Sequence, residues 1–171
     1  IAADGAGSKI PETVPDIALH DVAGKARRLK EYSGQPTIIN FWATWCVPCR
    51  REIPLLNELR RAYASPDKSK RLEIVGIAVD FKESVAEYVT KTRIDYPLLV
   101  GEQDGVDAAG QFGMELVLPF SIFVDRADRI VAVKVLSAPP IPEVLSRFER
   151  EVRISSKLDH PNIVKVFATG T

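Results

Sequence analysis

The chain has 171 residues, 46% hydrophobic and 27% charged, enough for one domain of ordinary size plus an extension. Its 23 Lys and Arg balance its 23 Asp and Glu, which argues against a nucleic-acid footprint and against a strongly anionic partner. No apolar run is long enough to span a bilayer, and only two cysteines are present, so a disulfide-stapled scaffold is excluded.

In chain order, residues 1–14 read as a flexible, polar tail. The start at Ile1 suits a trimmed or mature form from which a signal peptide can have been removed. Asp16 to Leu29 carries short apolar stretches around Val22-Ala23-Gly24-Lys25 and predicts a hairpin. Thr37 to Trp42 is a nearly continuous apolar run, the pattern of a strand covered on both faces. A helical pattern follows from about Cys46 to Tyr63. Leu72 to Val79 predicts a second buried strand, Glu83 to Thr92 a helix, Tyr96 to Val100 a short strand and Val106 to Phe112 a short helix. Phe120 to Val124 and Ile130 to Leu136 predict two strands joined by the turn Asp125-Arg126-Ala127-Asp128. A last helix is expected from Pro142 to about Leu158, with Leu145, Phe148 and Val152 on one stripe. Strands alternating with helices, then two consecutive strands, give an α/β fold with a mixed sheet.

The chemistry centres on Trp45-Cys46-Val47-Pro48-Cys49. Disulfide exchange needs a thiolate nucleophile and a second thiol within its reach. A Cys-x-x-Cys in the first turn of a helix supplies both. Cys46 is expected at the helix N-terminus, where free N–H groups and the dipole draw a thiol pKa from about 8.5 toward neutrality. Cys49, one turn deeper, is expected to stay protonated until it resolves a mixed disulfide. Pro48 has no N–H to lose in the first turn. Cys46, Cys49, Leu56, Leu59 and Tyr63 form one stripe that should face the core, and Glu52 lies on it. That carboxylate is either partly buried, with a raised pKa and a proton to exchange with Cys49, or bends out to solvent. Pro54 should bend the helix. Two cysteines at this spacing also make half a zinc site, but there is no second pair, and His20 and His160 are distant in sequence. Trp42 and Trp45 read as packing groups.

The run Asn40-Phe41-Trp42-Ala43-Thr44-Trp45-Cys46-Val47-Pro48-Cys49-Arg50-Arg51-Glu52-Ile53-Pro54 resembles the TlpA/ResA branch of the thioredoxin superfamily, over roughly residues 10–135. The resemblance implies a thioredoxin-like mixed sheet flanked by helices, with an N-terminal hairpin and a central βα insertion at about Phe81 to Gly105. It implies a functional Glu at Glu52 and places Asn40 where thioredoxin carries a buried Asp. It also implies a cis-proline at Leu118-Pro119 that borders the disulfide and helps bind the partner's extended chain. Catalytic Cys46, Cys49 and Glu52 and client-binding Trp45, Val47, Pro48, Leu118 and Pro119 are therefore expected, with no metal or cofactor. The implied activity is reduction of client-protein disulfides, including those of apocytochrome c and copper-site proteins, outside the cytoplasm and recharged by an upstream thiol reductase. A thiolate metallochaperone or redox-sensing binding module is the alternative. Its test is metal titration of the reduced protein.

The C-terminal end resembles something else. Val131 to Leu136, Phe148 to Val152 and Leu158 to Val164 are similar to the third strand, C-helix and following strand of a protein-kinase N-lobe, with Lys134 and Glu151 at the ion-pair positions. There is no Gly-rich loop upstream and no His-Arg-Asp or Asp-Phe-Gly run, so no kinase is implied. The expectation is a fused C-terminus in which Pro142 to Leu158 serves as the terminal helix of a domain spanning 15–158. Residues 159–171 would be an extra segment able to pair with a sheet edge, including that of a second copy in a homodimer.

Overall fold

The computed structural model describes residues 10–114 and 117–131, together with Ser146, Arg150 and Arg153. The chain divides into two compact units, Ile1–Ile130 and Val131–Thr171, and the described elements lie almost wholly in the first. They run β1 (Ala18–Asp21), β2 (Ala26–Arg28), β3 (Thr37–Trp42), α1 (Val47–Ala62), β4 (Glu73–Val79), α2 (Lys82–Lys91), β5 (Leu98–Gly101), α3 (Gln103–Gln111), β6 (Phe120–Val124) and β7 (Ile130–Val131). Of the expected terminal helix, only Ser146, Arg150 and Arg153 are described; each is helical and exposed. The kinase-like segment, the extra segment 159–171 and the dimer contact assigned to it otherwise lie outside the described residues.

The strands form one sheet in the order β2-β1-β5-β4-β3-β6-β7. β3, β4 and β5 are parallel, whereas β1 and β6 join them antiparallel. The fold is therefore a mixed α/β sheet of thioredoxin type, with the β1–β2 hairpin added at one side and α2–β5 as the βα insertion. Every residue of β3 is buried, and its alternation explains the continuous apolar run. Ile39 and Phe41 join a core with Val75, Ile77, Leu99 and the α3 residues Ala108 and Ala109. Trp42 packs with Cys49, Ile53 and Val85, which come from α1 and α2. Ile38 packs with Ile74 and Tyr96 under Leu56 and Leu59 of α1. Helices thus cover both faces, and β3 carries the chain up the centre of the sheet to the redox turn.

Two details depart from the sequence reading. Val14 donates its N–H to the Asp128 carbonyl at 3.0 Å, and Ile130 donates to Glu12 at 2.9 Å, so residues 12–14 are hydrogen-bonded to the β6–β7 turn. The buried stripe of α1 is Cys49, Ile53 and Asn57, at i, i+4 and i+8; Leu56 and Leu59 flank it, and Tyr63 is exposed. Tyr63 is the C-cap of α1, and its carbonyl accepts the Leu72 N–H at 3.1 Å while its ring stays exposed.

Candidate active site

β3 ends at Trp42, and a turn over Ala43–Cys46 reverses the chain into α1, with the Cys46 N–H donating to the Ala43 carbonyl at 3.2 Å. Cys46 is the N-cap of α1, with extended backbone angles. Its Sγ accepts the Cys49 N–H at 3.3 Å, taking the place of the oxygen of a usual capping residue. Cys46 and Cys49 form a disulfide with Cα atoms 5.3 Å apart. Cys46 is 5% exposed and Cys49 2%. The pair is therefore seated at the helix tip with both cysteines buried, Cys46 only slightly less so than Cys49. Pro48 falls in the first turn, where its missing N–H costs nothing.

Glu52 is half-buried one turn beyond Cys49, and burial pushes its carboxyl above the usual range. Nearby Tyr96 is buried, and its hydroxyl is pushed up mainly by desolvation, with Tyr88 and Glu52 adding to the effect. Trp42 is fully buried with its ring 5.5 Å from that of Tyr88, as expected of a packing group. Trp45 is different: it stands 67% exposed. It is held out because it occupies the centre of the turn rather than the strand, so the inward alternation that buries Trp42 has ended. Val47 and Pro48 are exposed beside it. The peptide Leu118–Pro119 is cis, and Phe120, the next residue, pairs with Phe41 of β3. Pro119 is thereby brought level with the end of β3, and Leu118 packs on the cluster that contains both cysteines. Asn40, buried in mid-strand, donates from Nδ2 to Ser121 Oγ at 3.0 Å, a neutral pair where a thioredoxin carboxylate would stand.

One residue of this region was missed. Asp80, directly after β4, is buried and accepts hydrogen bonds from the backbone N–H and hydroxyl of Thr44. The available signal was a lone carboxylate closing an apolar strand, which by itself reads as an ordinary strand end.

Among the described residues no group of three or more His, Cys, Asp or Glu forms a metal-ligand set, and no helix is long and apolar enough to cross a membrane. The arrangement can accept and return a disulfide: a sulfur at the helix N-cap, a second sulfur one turn on, a carboxyl whose pKa burial raises, and an exposed apolar rim.

Comparison with known proteins agrees. Residues 10–133 match the AhpC/TSA family. The chain is 35% identical over 118 residues to the thiol-disulfide oxidoreductase ResA of Geobacillus kaustophilus, covering 68% of this chain and 64% of that protein. It is 31% identical over 130 residues to ResA of Bacillus anthracis, covering 75% and 71%. The chain thus spans about two thirds of the length of the curated relatives it matches. A crystal structure of a thiol:disulfide interchange protein of the thioredoxin family from Chlorobium tepidum superposes with a TM-score of 0.60 at 26% identity, covering 82% of this chain and 95% of that one. A fold shared over most of the domain, with Cys46 and Cys49 at the tip of its first long helix, means that the chain belongs to the AhpC/TSA family and is related to its ResA members.

Proposed function

We propose that the chain exchanges its Cys46–Cys49 dithiol with disulfides of client proteins, working as a reductant outside the cytoplasm and recharged by an upstream thiol reductase. The carrying observation is the Cys46 sulfur acting as N-cap acceptor of α1. In the reduced protein that N–H and the helix dipole stabilise a thiolate. The thiolate attacks one sulfur of the client disulfide, forming a mixed disulfide and expelling the other client sulfur as a thiolate. Cys49 then loses its proton to the Glu52 carboxylate and attacks Cys46 Sγ. The Cys46–Cys49 disulfide forms, and the client leaves with both sulfurs reduced. Trp45, Val47, Pro48, Leu118 and Pro119 bind the client segment around its cysteine. Cys-x-x-Cys segments of apocytochromes and copper-site proteins are the proposed clients, on the strength of the TlpA/ResA resemblance.

The test is reduction of insulin and of an oxidised Cys-x-x-Cys-His peptide. The reduced wild-type chain should turn both over when a thiol donor is supplied. Cys49→Ser should accumulate a stable mixed disulfide, and Cys46→Ser should form none. A wild type that reduces neither substrate, together with a Cys49→Ser variant that traps nothing, would refute the proposal.

A further inference from the structure

Asp80 sits where β4 gives way to α2, and it is only 7% exposed. Its Oδ2 accepts two hydrogen bonds from Thr44, the backbone N–H at 2.8 Å and the hydroxyl at 2.6 Å. Its Oδ1 accepts the Phe81 N–H at 2.8 Å. Bonds to an ionised acceptor are roughly twice as strong as neutral ones. Two donors from one residue on a single oxygen fix both the backbone and the χ1 rotamer of Thr44.

Thr44 and Trp45 are the central residues of the turn closed by Cys46 N–H on Ala43. That turn sets where Cys46 begins. Cys46 must hold φ near −81° and ψ near 102° for its Sγ to meet the Cys49 N–H. The carboxylate therefore reaches, through one side chain, the geometry that caps the sulfur. It also ties together the two most exposed aromatic residues of the region, Trp45 beside Thr44 and Phe81, 67% and 61% exposed.

We infer that Asp80 is a positioning residue for the redox cysteine: through Thr44 it holds the Ala43–Cys46 turn in the form that presents Cys46 Sγ to the α1 N-terminus. This rests on the redox chemistry proposed above. The charge of Asp80 alone disfavours a nearby thiolate, so its charge and its tether act in opposite directions. Thr44 separates them. Thr44→Val removes the hydroxyl arm but leaves in place Asp80 and every other ionisable group, including Lys82 and Glu83 at the start of α2 and Arg50, Arg51 and Glu52 on α1. A change in sulfur reactivity then reports the tether and not the charge.

The experiment follows alkylation of Cys46 by iodoacetamide against pH, in the reduced Cys49→Ser protein, with circular dichroism confirming the fold. Thr44→Val should raise the midpoint by about half a pH unit, which is about threefold slower alkylation below the midpoint. Thr44→Ser should restore the parent midpoint, and in an Asp80→Ala background Thr44→Val should add nothing. If Thr44→Val does not fold, Thr44→Ala is read in the same way. A folded Thr44 variant with the parent midpoint, or Thr44 and Asp80 effects that simply add, overturns the inference. A Cys49→Ser parent that alkylates no faster than a free thiol, together with a wild type that does not reduce insulin, sinks the redox reading instead, so the two failures are distinguishable.

Discussion

Glu52 carries a pH dependence whose direction follows from its surroundings. Burial raises its carboxyl above the usual range, so the folded protein favours the protonated form more than the unfolded chain does. The resulting stability is fully present below the unfolded carboxyl value of about 4.3 and is lost as pH rises through the folded value. Glu52→Gln keeps the shape and removes the charge. Its melting temperature should match the wild type near pH 4 and exceed it at pH 8; an equal difference at both pH values would contradict a half-buried titrating carboxyl. The same variant should resolve mixed disulfides more slowly, by about a hundredfold if Glu52 is the base for Cys49, read by quenched-flow trapping. Trp45 offers a separate check. Exposed aromatic anchors at binding surfaces are worth ~2 kcal/mol, so Trp45→Ala should raise KM for protein clients about thirtyfold. Alkylation of Cys46 by a small reagent should not change; loss of both would mean that Trp45 shapes the turn and not the client surface.

Helix α1 does more than present the cysteines. Arg60 forms a two-point pair with the buried Glu73 of β4, Nε to Oε1 at 2.7 Å and a second nitrogen to Oε2 at 3.2 Å. Asn57, one turn earlier, donates to the Arg93 carbonyl and accepts the Asp95 N–H, clasping the chain between α2 and β5. Arg60→Leu leaves the buried Glu73 with the Ile74 N–H on Oε1 at 3.0 Å and with Arg71 4.0 Å from Oε2, and should cost about 3 kcal/mol in urea unfolding, since the close charge partner is gone. β4 has its own constraint at Gly76. A Cβ there would lie 2.7 Å from Leu98 Cδ2, 3.0 Å from Tyr96 Cε2 and 3.2 Å from Trp42 Nε1. Gly76→Ala should therefore destabilise by about 1–3 kcal/mol through overpacking beneath the site, checked by the same unfolding titration.

Across the whole molecule, protection should follow burial in the sheet. β3 lies between β4 and β6, is buried at all six positions and carries the redox turn at its end. The β1–β2 hairpin is short, and β2 holds no fully buried residue. Hydrogen exchange should thus be slowest in β3 and β4 and fastest in β2. A hairpin as protected as β3 would show that the added strands are integral to the cooperative unit.

The residues alone determined much of this. β3 and β6 were legible to the residue because each is a nearly continuous apolar run, interrupted only by short polar residues, with punctuation at Gln35-Pro36 and Pro119. The Cys46–Cys49 pair was legible because its chemistry needs only local spacing at a helix start. The tertiary structure decided what depends on partners distant in sequence. Asn57, Arg60 and Glu73 look like surface residues until the 93–95 segment and α1 meet across β4. Tyr63 looks like a core residue by its helical spacing, yet it stands exposed at the C-cap of α1. Asp80 looks like a strand end until Thr44, 36 residues away, lays two donors on its oxygen. Polar residues carry no periodic signal of their burial, because what makes burying them tolerable is a hydrogen-bond partner that only folding brings near.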